Sequence, residues 1–346
     1  MNDVVNAGPG AGPDVTVVVV THAGRHLVQP CLDSLAAQSA PHRLLVVDNH
    51  STDGTAELLA ARLQADEILR TPANLGFAGA VAAALQVVGT RFVALLNDDA
   101  VADPDWLAQL LAVARDDPDA AAWTSLMLQF DHPELVNNAG AGLTPFGYGV
   151  DLAPDTPADA VPVGPVEVFG FCGGAALLRT DAVRAVGGFP AEYFLYYEDL
   201  DTGWRLRLAG WTIRRVPGSR VLHHHAATTD RRSELFHRHN ERNRLWTLLR
   251  CAPLTFALTG LVRFVLTTAS LALRQRLRAD ARQAAADHPN FRVGLRVGVL
   301  LETLRALPRL LRGRGRISAI AVRGRGAVLG EGIRGTLREQ GHHPGR

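Results

Sequence analysis

The stretch Arg91-Phe92-Val93-Ala94-Leu95-Leu96-Asn97-Asp98-Asp99 decides how the rest of the chain is read. A run of apolar residues ends in an amide and two carboxylates. Its length suits a buried strand of a parallel sheet, covered on both faces. In open α/β sheets, ligands sit beyond the carboxyl ends of such strands. Carboxylates there face the crevice, and oxygen ligands of this kind suit Mg²⁺ or Mn²⁺. Successive side chains on a strand point to opposite faces. Asp98 and Asp99 therefore share one site only if the chain turns as it leaves the sheet, and a plain polar turn would look the same in sequence.

Upstream, Val15-Thr16-Val17-Val18-Val19-Val20 is β-branched throughout and reads as a central strand ending at Thr21-His22. Leu27, Cys31 and Leu35 recur at helical spacing, and Pro41 closes that helix. Arg43-Leu44-Leu45-Val46-Val47-Asp48 is a second strand ending in a carboxylate, followed by a polar turn and a helix from Thr55. Glu67-Ile68-Leu69-Arg70 is a short edge strand, and Asn74-Leu75-Gly76-Phe77-Ala78-Gly79-Ala80 opens the next helix. The order β-α-β-α-β-α-β is that of a doubly wound parallel sheet.

Downstream, Asp103 and Pro104 fit the N-cap and first position of a helix, and residues 120–130 form a further apolar strand. Residues 131–165 are rich in Gly, Pro and Asn and read as a partly irregular insertion near the active face. Gly170-Phe171-Cys172-Gly173-Gly174 allows close backbone approach or positive φ. After Tyr196-Tyr197-Glu198-Asp199, Leu200, Trp204 and Leu208 mark a helix with Gly210 as its stop. A strand over 211–216, a Pro217-Gly218 turn and a segment leading into His223-His224-His225 complete the expected domain.

The chain of 346 residues has room for one large or two ordinary domains, and a net charge of +2 gives no argument for nucleic acid. Cys31, Cys172 and Cys251 form neither a disulfide framework nor a metal-ligand spacing, which points to a reducing compartment. The chain contains no lysine, so arginine is used for every permanent cation, and one arginine is no mark of a phosphate site. Residues 1–13 read as a disordered lead-in, and no signal peptide is expected.

Beyond about residue 230 a basic helical segment is followed by a mostly apolar stretch over 251–273 with Arg263 in its middle. Roughly 20 apolar residues are needed to cross a bilayer, and a central arginine costs about 2.5–3.5 kcal/mol on insertion scales. A helix lying on the membrane surface or packed on the domain is therefore expected over one that crosses. Residues 305–346 read as a flexible, arginine-rich tail, either solvated or in contact with anionic headgroups.

Taken together, residues 17–21, Val46-Val47-Asp48-Asn49-His50-Ser51-Thr52-Asp53-Gly54-Thr55, the 74–80 loop, Leu96-Asn97-Asp98-Asp99, and Tyr196-Tyr197-Glu198-Asp199-Leu200-Asp201 with Arg205 resemble the inverting glycosyltransferase family 2, and within it the bacterial rhamnosyltransferase-like branch. The resemblance implies a GT-A fold, a Rossmann-like mixed sheet flanked by helices, over residues 14–230, with a helical, basic C-terminal extension over 231–346. It implies that Asp48 accepts the imide N–H of uracil or thymine, that Thr21, Asn74, Gly76 and Asp98 lie along the donor nucleotide, and that Asp99 holds Mg²⁺ or Mn²⁺ with His223, His224 being the rival. Asn97 stands where the family usually has its first acid. Asp199 would be the general base, with Glu198 orienting it or touching the acceptor. For Asn74 and Gly76 a structural loop is the alternative, and for Asp201 an ion pair with Arg205 at i+4.

The implied reaction moves a sugar, with rhamnose as candidate, from dTDP- or UDP-sugar to a lipid-linked or cell-surface polysaccharide acceptor at the cytoplasmic face of the membrane. A sugar-1-phosphate nucleotidyltransferase would want a Gly-rich phosphate loop after the first strand, of which Thr21-His22-Ala23-Gly24-Arg25 is a poor version. A non-catalytic nucleotide-sugar-binding protein is the other alternative, and retention of the acidic motifs argues against it. An oxidoreductase is disfavoured, since no G-x-G-x-x-G follows the first strand.

Overall fold

The computed structural model describes residues 12–224, 232–277, 283 and 288–341. The first half alternates β1 (Val15–Thr21), α1 (Val28–Ala36), β2 (Arg43–Asp48), α2 (Thr55–Arg62), β3 (Ile68–Arg70), α3 (Gly76–Val87) and β4 (Phe92–Asn97). The four strands pair in parallel in the order β3-β2-β1-β4, with β3 at the edge. The β-branched runs are buried on both faces, which is why they read as continuous apolar stretches. Val18, Val47, Val93 and Leu95 pack with Ala80, Val81 and Leu85 of α3. Their strand neighbours Val17, Val19, Val46 and Leu96 pack with Val28, Cys31 and Leu35 of α1. The chain winds away from β1 through β2 and β3, then returns to its other side at β4. The crevice for a ligand opens at that reversal.

The second half makes the sheet mixed. It contains β5 (Ala100–Ala102), α4 (Trp106–Asp116), β6 (Ala120–Gln129), β7 (Val136–Asn138), β8 (Ala141–Leu143), β9 (Gly149–Asp151), β10 (Val166–Glu167), β11 (Ala175–Arg179), α5 (Thr180–Ala185), α6 (Glu198–Leu208) and β12 (Thr212–His223). β11 lies antiparallel between β4 and β6, and β12 runs parallel to β6. The 131–165 segment holds three short strands: β7 joins the main sheet, and β8 and β9 form a hairpin.

Two local expectations are corrected. Pro217-Gly218 does not end a strand: β12 is continuous and absorbs it as a bulge between Val216 and Arg220, where a missing N–H is tolerated. Helix α4 starts at Trp106, with Asp105 at the cap position, because Asp103 instead accepts the Trp106 N–H through its carbonyl in a tight turn.

The C-terminal region contributes α7 (Glu234–Cys251), α8 (Leu254–Leu277), α9 (Val293–Ile320) and α10 (Arg325–Gly341). Trp246, Leu249, Leu310 and Leu329 share one core with Tyr193, Tyr197, Leu200 and Trp204. The expectation of a flexible tail from residue 305 is therefore wrong for the described residues: they form α9 and α10. Two of the arginines in this segment hold helix ends, while most of the others are exposed. Arg314 donates to the carbonyls of Leu249 and Ala252, and Arg325 to those of Arg250 and Cys251, covering acceptors left open where α7 stops. The expected boundary near residue 230 and residues 1–11 of the expected lead-in over 1–13 lie outside the described residues.

Candidate active site

Four strand ends set the first wall of a cavity of about 1790 Å³. β4 stops at Asn97, and the chain turns through Asp98 and Asp99 into β5, so both carboxylates reach the same cavity, as the strand geometry required. Thr21 and Asp48 lie side by side at the ends of β1 and β2. Both are buried and neither lines the cavity. Asp48 Oδ1 accepts the Ser51 N–H at 2.9 Å, while Oδ2 lies 3.5 Å from Arg70 Nε and has no hydrogen-bond partner among the described residues. Oδ2 is thus buried behind the strand end, facing Arg70.

Asn74 lines the cavity but spends its amide oxygen on the loop, accepting from Asn49 Nδ2 and the Gly76 N–H. Gly76 has φ +66° and lies so close to Phe194 that a Cβ would come within 2.2 Å of its carbonyl oxygen. Gly76 therefore joins the donor-side helix to the 193–197 loop and is not itself on the cavity wall.

Asp99 and His223 meet because β5 pairs antiparallel with the end of β12, in register Ala100 with His223. His223 Nε2 lies 3.2 Å from Asp99 Oδ1. Its Nδ1 is 3.1 Å from Asn137 Oδ1, an acceptor, which assigns the ring proton to Nδ1 and turns a lone pair toward Asp99. A lone pair facing a carboxylate at this distance suits a shared cation, and an imidazole anchored through its other nitrogen is the common arrangement at metal sites. His224 turns away and stacks on Phe130. Among the described residues no three His, Cys, Asp or Glu side chains gather as a complete metal cage. Two protein ligands fit Mg²⁺ or Mn²⁺ whose remaining positions go to water and phosphate. Burial, aided by the charge of Asp99, pushes Asp98 up to about 7, so a cation here would also favour its ionised form.

The second wall carries the acids at the start of α6. Asp199 Oδ2 accepts the Gly173 N–H at 3.0 Å and Oδ1 accepts the Leu200 N–H at 2.7 Å. Gly174 in turn accepts the Asn97 N–H at 2.9 Å. The Gly173-Gly174 peptide thus bridges the end of β4 to Asp199, and both walls are bonded to one short segment. Burial raises both Glu198 and Asp199, and the Asp199 charge raises Glu198 further. The two N–H donors oppose the rise at Asp199, whereas Glu198 Oε2 has no partner among the described residues. Glu198 is therefore pushed up more than Asp199, which favours the proton on Glu198 and the charge on Asp199. Asp201 belongs elsewhere: fully buried, it pairs with Arg205 at 2.7 Å and Arg250 at 3.4 Å, accepts from Tyr193, and the two arginines lower its pKa from the ordinary value despite its burial.

The loop before α6 is strained. Phe194, Tyr196 and Tyr197 have φ of 67°, 69° and 68°, conformations that bulky residues avoid. Phe194 sits in a γ-turn closed by the Leu195 N–H to the Tyr193 carbonyl at 2.8 Å. The strain is held from α7. Asn243 Nδ2 lies 3.0, 2.7 and 2.8 Å from the carbonyl oxygens of Tyr193, Leu195 and Tyr196, and Arg242 adds a bond of 2.8 Å to Tyr193. From β9, the Gly149 N–H donates to Tyr197 Oη. Sequence reasoning did not single out Asn243, Arg242, Gly149 or Gly24. A Cβ on Gly24 would come within 2.3 Å of Thr21 Oγ1 and 2.4 Å of Asp98 Oδ2, so this glycine makes room for both. A glycine just after the first strand was a usable signal; an asparagine inside a basic helix was not.

In sequence and in fold the chain is similar to known proteins. A family model described as glycosyl transferase family 2 covers residues 16–187. An N-acetylglucosaminyl-diphospho-decaprenol L-rhamnosyltransferase of Mycobacterium tuberculosis is 32% identical over 237 residues, spanning 62% of this chain and 77% of that protein. Among solved structures, a mannosyltransferase from Pyrobaculum calidifontis in complex with GDP-Man and Mn²⁺ superposes with a TM-score of 0.51 at 19% identity, over 86% of this chain and 88% of that one. The structure of GalNAc-T7 with UDP, GalNAc and Mn²⁺ gives 0.59 at 13% identity, over 85% and 57%. With the sheet order, the cavity and these matches in agreement, the chain belongs to glycosyltransferase family 2, on a GT-A fold.

Proposed function

We propose that this glycosyltransferase moves a deoxyhexose, rhamnose first among candidates, from a dTDP- or UDP-sugar to a hydroxyl of a lipid-linked or cell-surface polysaccharide acceptor, at the cytoplasmic face of the membrane and with inversion. The observation that carries the reading is the Gly173-Gly174 bridge, which ties Asp199 to the strand end bearing Asp98 and Asp99. The named activity of the mycobacterial relative supports the sugar and the acceptor class.

Asp48 reads the base: an ionised carboxylate only accepts, so it favours a base that offers an imide N–H. Asp98 borders the ribose with Thr21 packed behind it, and Asn74 and Gly76 set the loop on the diphosphate side. Asp99 and His223 would hold Mg²⁺ or Mn²⁺, which supplies positive charge to the departing diphosphate. Asp199 takes the proton from the acceptor hydroxyl as that oxygen attacks the anomeric carbon. The bond from anomeric carbon to diphosphate oxygen breaks as the new glycosidic bond forms, so one displacement inverts the centre. Glu198, keeping its proton, donates to an acceptor oxygen and leaves Asp199 as the single base. Residues 14–230 form the catalytic unit in this reading, and 231–346 its membrane-side extension.

The test offers dTDP-rhamnose and UDP-sugars to the purified protein with a polyprenyl-diphospho-N-acetylglucosamine acceptor, with Mn²⁺, with Mg²⁺ and with chelator. Metal-dependent formation of an inverted glycoside is expected. Pyrophosphate release from a nucleoside triphosphate and sugar 1-phosphate would instead identify a nucleotidyltransferase, and donor binding with no turnover on any acceptor a binding protein.

A further inference from the structure

Helix α8 carries two apolar stripes, and one of them has no protein partner among the described residues. Ala257, Gly260, Phe264 and Thr268 are buried against the rest of the fold. Leu254, Leu258, Val262, Leu266 and Leu273 are all exposed, Leu266 at 63%. At 100° per residue the exposed set falls within an arc of about 120°, along a helix about 36 Å long. Exposed aliphatic side chains aligned on this scale mark an interaction surface.

The charge around the stripe says what covers it. Helices α8 and α9 together hold nine arginines and one carboxylate, Glu302. Glu302 is already engaged by Arg238 and Arg242. Arg263 and Arg274 border the stripe on exposed positions of α8, and Arg276 lies at its C-terminal end. An apolar face with a basic border fits the boundary between acyl chains and anionic headgroups. A second copy of so basic a surface would meet like charge. By length and composition α8 is long and apolar enough to cross a membrane, but to do so it would have to shed the contacts of its buried stripe and take Arg263 through the hydrocarbon.

The surface also adjoins the cavity. Arg263 stacks over the ring of Phe146, 4.2 Å from its centroid, and Phe146 is 54% exposed at the tip of the β8–β9 hairpin. The second strand of that hairpin, Gly149 to Asp151, lines the cavity.

We infer that the exposed stripe of α8, with Phe146 and the bordering arginines, docks the enzyme on an anionic bilayer with the helix parallel to the membrane plane, presenting the cavity to an acceptor held in that membrane. The inference builds on the lipid-linked acceptor proposed above, but its test reads vesicle binding, so either can fail alone.

The full-length protein is sedimented with vesicles of phosphatidylcholine, with and without phosphatidylglycerol, at low and high salt. Binding should require phosphatidylglycerol and weaken at 1 M salt, where the Debye length is about 3 Å. Val262→Asp with Leu266→Asp should lower partitioning at least about tenfold. Arg263→Gln and Arg274→Gln should each lower it about fivefold. All four side chains are exposed, so the melting temperature should stay within a few degrees of the wild type, Arg263→Gln losing only its stacking on Phe146, worth about 0.5–1 kcal/mol. Failure of the wild type to bind phosphatidylglycerol vesicles would overturn the inference, as would undiminished binding by the aspartate variant. Light scattering that shows a dimer broken by the aspartate variant would assign the stripe to a second copy instead. Retention of the wild type in membranes washed with alkaline carbonate would mean that α8 crosses, and would also overturn it.

Discussion

On one wall of the cavity, Asn97, Asp98 and Asp99 stand directly on the end of β4, and their position follows from the strand that carries them. On the other wall, Glu198 and Asp199 follow a loop with three residues at positive φ, held from a helix that begins more than thirty residues later in the chain. The first wall is fixed by backbone pairing in a sheet; the loop that leads into the second is fixed by side chains of α7, with Asp199 itself also held by the Gly173 N–H. The difference teaches where each wall should fail. The donor side should lose chemistry when a ligand is removed and keep its shape. The acceptor side should lose its shape when a remote support is removed, even with its acids intact.

The strongest test of that contrast is Asp199→Asn, which should cost about 10²–10⁴ in transfer rate, while donor affinity, measured by calorimetry, stays within a factor of about two. Burial raises Asp199 from its ordinary value of 3.8. Because the base works ionised, the acidic limb of the wild-type rate profile should lie above that value and disappear in the variant. An active variant would remove Asp199 as the base.

Next, Asp99→Ala or His223→Ala should lower the rate by at least about a hundredfold and abolish the gain in donor affinity that Mn²⁺ gives the wild type. His224→Ala should do neither. Equal effects at the two histidines would break the assignment read from the Asn137 and Phe130 contacts.

Asn243→Ala sharpens the comparison most directly. It removes a donor from three carbonyls; Tyr193 keeps the Leu195 N–H and Arg242, while Leu195 and Tyr196 each lose the Asn243 bond, and a lost hydrogen bond costs about 0.5–1.5 kcal/mol. The rate with acceptor should fall about tenfold or more while donor and metal binding hold, since the loop relaxes and β4 does not. If donor binding falls in step with the rate, the two walls are not independently held.

The smallest effect is expected in stability. Glu198 has its folded pKa raised well above 4.5 by burial and by Asp199. The native state therefore binds this proton more tightly than the unfolded chain. The stability that it contributes is complete below the unfolded value and is lost as pH rises through the folded one. Glu198→Gln keeps the neutral form at every pH. Its melting temperature should match the wild type near pH 4 and exceed it by about 2–4 °C at pH 8, with transfer reduced. A difference that does not vary with pH would mean that Glu198 is ionised in the folded protein.

The sequence by itself determined the β-α alternation, the strand ends bearing Thr21, Asp48 and Asn97-Asp98-Asp99, and the acidic start of α6. Those features rest on periodicity and on local end effects, which neighbouring residues fix. Tertiary structure alone decided that β5 pairs with β12, so that His223 and not His224 meets Asp99. It decided that Gly173-Gly174 joins the walls and that Asn243 holds the strained loop. It also turned an arginine-rich segment expected to be flexible into two packed helices. Hydrogen bonds between residues far apart in the chain leave no periodic trace, and an arginine that covers a helix end reads in sequence like one that faces water.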